Sequence, residues 1–228
     1  PLCLSAYDWA RYRKNKGAVK LHTQLDLSGN LPCFVVLSNG KMADIRAARK
    51  WFRIEPDSIY TYDKGYCDYE WFKEINDKGA FFVTRLKKNA RYKVVGQHLA
   101  PNKKSGVVSD ETVELELQNA QRTYPGKLRC VMFHDAETDR DYQFLTNNFR
   151  LSAVTIAAIY KRRWQIELFF KWIKQNLQIK TFLGTSKNAV MTQVWVALIH
   201  FLLVAYIKYL TKAPISMTEM TLRLKEQL

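Results

Sequence analysis

Between residues 160 and 187 a single acid, Glu167, stands among seven bases. Arg163 lies four residues before it and Lys171 four after, so on a helix the three share a face. Tyr160 and Lys174 fall on the same stripe at about 100° per residue. Ile159, Ile166, Phe170, Ile173 and Leu177 run along one flank, and Trp164, Leu168 and Trp172 along the other. On spacing alone an ion-pair ladder, worth about 0.3 kcal/mol per pair, is the ordinary account. The neighbourhood argues for more. A polar stripe hemmed by large apolar residues is not a freely solvated face. A carboxylate ringed by cations stays ionised and suits a divalent metal.

Asp63 is the second candidate. It ends the short aromatic and β-branched run Ile59–Asp63, which reads as a strand. A carboxylate at the carboxyl end of a strand points into the crevice where α/β sheets bind ligands. In isolation Asp63-Lys64-Gly65 is simply a turn; paired with Glu167, it makes a two-carboxylate metal site reasonable. His22, His98, His134 and His200 have no metal-ligand spacing. His22 is expected to be packed or groove-lining, and His200 to be hydrogen-bonded within an apolar helix. The six tryptophans read as core residues, any one of which could stack on a base.

The elements that must position these groups alternate in type. Val19–Leu27 and Cys33–Ser38 flank Ser28-Gly29-Asn30 as a hairpin. Asp44 opens a helix running through Phe52. Asp68 to Lys78 is helical and stops at Gly79, with a strand over Phe81–Thr84. From 86 to 149 the period changes to two, as in Val113–Leu117, which marks a β-rich insertion in an α/β domain. One helix is expected from Ser152 to about Leu177 and another over Lys187–Leu210.

The chain has 228 residues with 47% hydrophobic and 25% charged, the balance of a folded globule, so wholesale disorder is excluded. Its net charge of +15 favours a polyanion, nucleic acid before membrane. That charge is clustered in residues 11–20, 85–104 and 160–187; the remainder is slightly acidic. Three basic segments converging on one surface would line a groove for a phosphate backbone. The four cysteines are scattered without CxxC spacing, pointing to a reduced cytosolic compartment and away from zinc. No signal peptide is read, and the apolar run Val194–Ile207 is short for a bilayer span of about 20 residues.

Tyr160-x2-Arg163-x3-Glu167-x6-Lys174 resembles the Tyr-Arg-Glu-Lys signature of bacterial insertion-sequence transposases of the DDE type. LCLSAYDWARYRKNKGAVKLH is similar to the segment after that family's first catalytic Asp, and YDKGYCDYEWFKEINDKGAFFVTRLKKNARY to the block around its second. The resemblance covers essentially the whole chain. It implies an α/β, RNase H-like fold, a mixed sheet with flanking helices. Residues 1–85 would be the first part of the core, 86–149 the β-rich insertion, and 150–228 the C-terminal helices.

By the same resemblance Asp63 and Glu167 are the second and third catalytic carboxylates and hold the metal, Mg2+ with Mn2+ as substitute. Tyr160, Arg163 and Lys174 bind DNA. The implied reaction is phosphodiester hydrolysis at transposon ends, then strand transfer into target DNA. The partners are double-stranded DNA and a second copy on it, in a bacterial cytoplasm at the nucleoid, with no membrane. One departure matters: the family's first Asp is expected a few residues upstream of Pro1. Asp8 and Asp26 are the nearest acids, and neither is placed to substitute. The chain is therefore expected to be a fragment or truncated copy, inactive alone, and a remnant that only binds DNA is the alternative.

Overall fold

The computed structural model describes residues 11–13, 16–17, 19–98, 105–176, 184 and 186–227. The chain divides into two compact units, one formed by residues 44–163 and the other by the segments on either side.

The flanking unit begins with β1 (Arg11–Arg13) and β2 (Lys16–Gly17), a short antiparallel pair. The expected hairpin follows as β3 (Val19–Asp26) and β4 (Leu31–Asn39), also antiparallel. Asp26 closes its turn by accepting the backbone N–H groups of Ser28 and Gly29 at 3.1 and 3.2 Å. That is a turn-forming role for a short acid at a β-turn.

The central unit opens with α1 (Asp44–Trp51) and β5 (Ile59–Tyr62). Then come α2 (Tyr69–Asp77) and β6 (Phe81–Arg85). The α2 boundaries follow from local chemistry. Asp68 accepts the Trp71 N–H at the start, and Gly79 takes φ +71 at the end, a left-handed conformation natural to glycine. Ala80 N–H then closes onto Ile75 O at 3.0 Å.

β7 (Tyr92–Gln97), β8 (Val107–Leu115), the short α3 (Gln118–Thr123), β9 (Leu128–Asp135), β10 (Arg140–Thr146) and α4 (Ala153–Arg162) complete the central unit. Six strands form one sheet in the order β5-β6-β10-β9-β8-β7. β5 and β6 run parallel and every other pairing is antiparallel. The strands expected of an insertion thus continue the sheet that β5 and β6 begin. Val83, Val131 and Phe144 from that sheet pack against Ala153, Ile156 and Tyr160 of α4.

A buried ion pair clamps the segment that launches α4. Arg129 on β9 donates through Nε and Nη2 to the two carboxylate oxygens of Asp110 on β8, at 2.7 and 2.6 Å. Its Nη1 donates to the carbonyls of Asn148 and Leu151. Ser152 then caps α4 through the Thr155 N–H.

The flanking unit resumes with α5 (Gln165–Asn176), α6 (Lys187–Thr211) and α7 (Met217–Glu226). The single helix expected from Ser152 to Leu177 is therefore two, parted at Arg163–Trp164. Arg163 N–H bonds Tyr160 O and Glu167 N–H bonds Trp164 O, both i→i−3 at 3.0 Å. Such tightening ends or interrupts an α-helix. No Gly or Pro marks the place, but Lys161, Arg162 and Arg163 suit a helix C-terminus. Leu177 lies outside the described residues.

Phe169, Trp172 and Ile173 of α5 pack on Val194, Leu198 and Phe201 of α6, with Leu21, Leu25, Val35 and Leu37 of the hairpin against them. By length and composition α6, with 25 residues, is apolar enough to cross a membrane, longer than the run read from sequence. One of its faces instead lies in this core.

Candidate active site

Parallel pairing sets the candidate residues of the central unit. Tyr62 of β5 lies beside Thr84 of β6, so Asp63, just past β5, and Arg85, the last residue of β6, stand at the same end of the two strands. Asp63 caps a 3-10 turn over Lys64–Tyr66, taking the Lys64 N–H on Oδ1 at 2.7 Å. Arg85 Nη2 stands 3.6 Å from that oxygen. Among the described residues, Oδ2 of Asp63 accepts no hydrogen bond. The carboxylate is half-exposed, a hard oxygen donor open to solvent.

Tyr160, on the last turn of α4, faces the same edge. Its ring packs on Phe144 at 4.8 Å between centroids, and the Arg163 guanidinium lies 5.6 Å from its own centroid. The Tyr160 hydroxyl is buried and, among the described residues, has no hydrogen-bond partner. Burial raises its pKa, while Arg163 and Arg85 pull it back and Asp63 adds to the rise. The phenol is therefore a neutral donor near two guanidinium groups and a carboxylate. Arg85 also sits 5.8 Å from the ring centroid of Tyr142.

In the flanking unit the site residues share one helix. Glu167 is in the first turn of α5, where the helix dipole favours an anion, and Lys174 is in the last, where it favours a cation. Glu167, Phe170, Lys171, Lys174 and Gln175 line an open concavity of about 470 Å3. Lys171 and Lys174 are exposed, whereas Trp172 is buried. Trp164 and Leu168, expected to hem the stripe, are 57% and 43% exposed. The structure thus places Asp63, Tyr160 and Arg163 in the central unit and Glu167 and Lys174 in the flanking one.

Among the described residues no group of three or more His, Cys, Asp or Glu side chains forms a metal cage. Carboxylates such as Asp63 and Glu167 still suit Mg2+, which is commonly held by one or two carboxylates together with substrate phosphates. His22 is buried and bonded to Ser38 Oγ at 2.8 Å. The Nε2 of His200 is buried without a hydrogen-bond partner among the described residues, and its ring stacks on Trp172. The expectation of a satisfied histidine there does not hold, because ring packing takes the place of a bond. Trp9 lies outside the described residues. So do positions 14, 15 and 18 of the first basic run and 99–104 of the second.

The family model for the transposase DDE domain matches residues 4–203. The chain belongs to the DDE transposase family. It is 36% identical over 221 residues to a Sinorhizobium fredii protein named as a transposase, y4zB, covering 94% of this chain and 61% of that protein. It is 31% identical over 205 residues to a Geobacillus stearothermophilus protein named as a transposase for the insertion sequence element IS5377, covering 90% and 53%. A Synechocystis protein named as a transposase for the element IS4SA is 24% identical over 197 residues, covering 81% and 52%. The chain thus spans between about half and three-fifths of these relatives. Its mixed sheet with flanking helices is the RNase H-like architecture of the transposase DDE domain.

Arg85 stands beside Asp63, a neighbour that the sequence alone does not announce. It appeared only as the first cation of a basic run. The available signal was its position closing a strand parallel to the one that ends at Asp63.

Proposed function

We propose that the transposase carrying this chain cleaves DNA phosphodiesters at transposon ends and joins them to target DNA. Asp63 and Glu167 are its metal-holding carboxylates, and Tyr160, Arg163 and Lys174 bind its DNA. The observation that carries this reading is the grouping of Asp63, Arg85, Tyr160 and Arg163 where β5 and β6 end. One accessible carboxylate, two guanidinium groups and a neutral phenol suit a phosphodiester better than a neutral ligand.

When bound by Asp63 and Glu167, Mg2+ supplies Lewis-acid polarisation of the phosphate and eases deprotonation of the attacking hydroxyl. Arg163 neutralises and orients the phosphate through its planar fork. Tyr160 donates its hydroxyl to a phosphate oxygen, its ring packed on Phe144 and close to Arg163. Lys174, exposed on α5, contributes a point charge to the backbone of the bound strand. A second copy of the transposase on the paired ends completes the reaction.

Asp63→Asn and Glu167→Gln in the intact transposase test this reading. Each is expected to abolish metal-dependent end cleavage while leaving duplex binding near wild type. Cleavage at the wild-type rate by either variant would falsify the assignment of that carboxylate.

A further inference from the structure

The helix α6 is apolar on every side. Val194, Leu198 and Phe201 lie in the core with α5 and the β3–β4 hairpin. On the other side, between Trp195 and Leu210, eight large apolar side chains are 40–76% exposed. No Asp, Glu, Lys or Arg occurs from Asn188 to Ile207. A helix apolar all round is ordinarily buried. Those exposures amount to roughly 800 Å2, against about 300–600 Å2 for the largest apolar patch of a typical monomer. In a chain of net charge +15 this uncharged side offers a phosphate backbone nothing and calls for an apolar occupant.

The spacing fixes the shape of that occupant. Positions 195, 202 and 209 recur every seven residues, as do 196, 203 and 210, with 199 and 206 between them. That is the period of a seam between helices. It also reads the same in both directions. About a two-fold axis between Leu202 and Leu203, an antiparallel second α6 would set Trp195 against Leu210 and Val196 against Tyr209. Ile199 would then face Tyr206, and Leu202 would face Leu203. Every exposed apolar residue meets another, and every aromatic ring meets an aliphatic side chain. A two-fold contact requires self-complementarity of this kind. Two such faces present about 1,600 Å2, the size of a standard stable interface. Antiparallel alignment also opposes the two helix dipoles.

We propose that α6 is a DNA-independent self-association surface of the transposase, through which two copies pair antiparallel before they meet DNA. The pairing uses none of the residues assigned to metal or DNA, so it stands or falls apart from the cleavage reading. Because the seam is uncharged, added salt leaves it intact, whereas copies held together by a shared duplex part as salt rises.

Sedimentation equilibrium of the intact transposase without DNA, at low and at high salt, tests this. It is run on wild type, on Leu203→Glu, and on an equimolar mixture of Ile199→Cys and Tyr206→Cys. Wild type is expected to be dimeric at both salts. Leu203→Glu places two carboxylates beside the axis and should weaken pairing by about 100-fold, with helix content as wild type by circular dichroism. In the mixture, mild oxidation should join position 199 of one copy to position 206 of the other, identified by mass spectrometry of the linked peptides. A monomeric wild type overturns the proposal, and flotation with neutral lipid vesicles then tells whether a lipid surface or another part of the same polypeptide takes the face. Undiminished pairing in a folded Leu203→Glu overturns it too. If that variant does not fold, a dimer that yields no link between positions 199 and 206 overturns it instead. A dimer that forms only on DNA and parts at high salt likewise overturns it, while leaving the cleavage reading untouched.

Discussion

The two units build their site residues in different ways. In the central unit Asp63, Arg85, Tyr142, Tyr160 and Arg163 come from two parallel strands, an antiparallel strand and a helix end. Their proximity exists only because β5, β6 and β10 pair in one register and α4 lies across them. In the flanking unit Glu167, Lys171 and Lys174 come from successive turns of one helix. The difference teaches that the candidate residues of the central unit depend on long-range packing and those of the flanking unit on the period of an α-helix. Disturbing the core of each unit should therefore have unequal effects on its site residues.

The largest expected effect is on the clamp beneath α4. Arg129→Met leaves Asp110 as an uncompensated buried charge and should cost about 3–5 kcal/mol. Chemical unfolding of the variant checks this, and a change below about 1 kcal/mol would show that the pair does not anchor the central unit. Phe201→Ala sharpens the other side. Phe201 meets Phe169 and Trp172 edge to face, with ring centroids 5.0 Å away, and its truncation should cost about 3 kcal/mol. Because Glu167 and Lys174 keep their spacing on α5, duplex binding should survive wherever the protein remains folded. Equal loss of DNA affinity in the two variants would break the comparison.

Alkaline pH separates the units without mutation. Burial raises the hydroxyl pKa of Tyr62 and Tyr160 and pushes Tyr66 and Tyr124 up to about 12, all within the central unit. Their folded pKa values exceed the unfolded value near 10, so the unfolded chain releases these protons first. The stability they contribute is present below about pH 10 and is lost as pH rises toward about 12. Hydrogen-exchange protection or proteolysis across that range should report opening in residues 44–163 before the helices of 165–226. The smallest effect is at the caps. Ser152→Ala at α4 and Ser186→Ala at α6 should each cost about 1 kcal/mol, read from thermal melts. Of the two, only Ser152→Ala is expected to perturb the environment of the Tyr160 hydroxyl.

Much of this was legible locally. Asp68, Gly79 and Ser152 announced helix ends because capping is a matter of a few neighbouring residues. The hairpin announced itself through Ser28-Gly29-Asn30, and Asn30 indeed takes φ +54. β7, α3 and α7 were not anticipated. β7 is an edge strand whose Lys93 and exposed Val94 and Val95 carry no one-sided pattern, and α3 has only six residues. The break at Arg163 escaped because apolar periodicity continues through it, while hydrogen bonding changes from one spacing to another.

By itself the sequence determined the family signature, the mixed α/β class and the local turns, since each depends on residues within a few positions of one another. Only the tertiary structure decided that Arg85 stands beside Asp63, 22 positions away, or that Asp110 and Arg129 form the buried clamp. The same holds for Tyr160, whose ring packs on Phe144 while its hydroxyl is buried. Those arrangements depend on strand register and helix packing, where a shift of one residue sends every side chain of a strand to the opposite face.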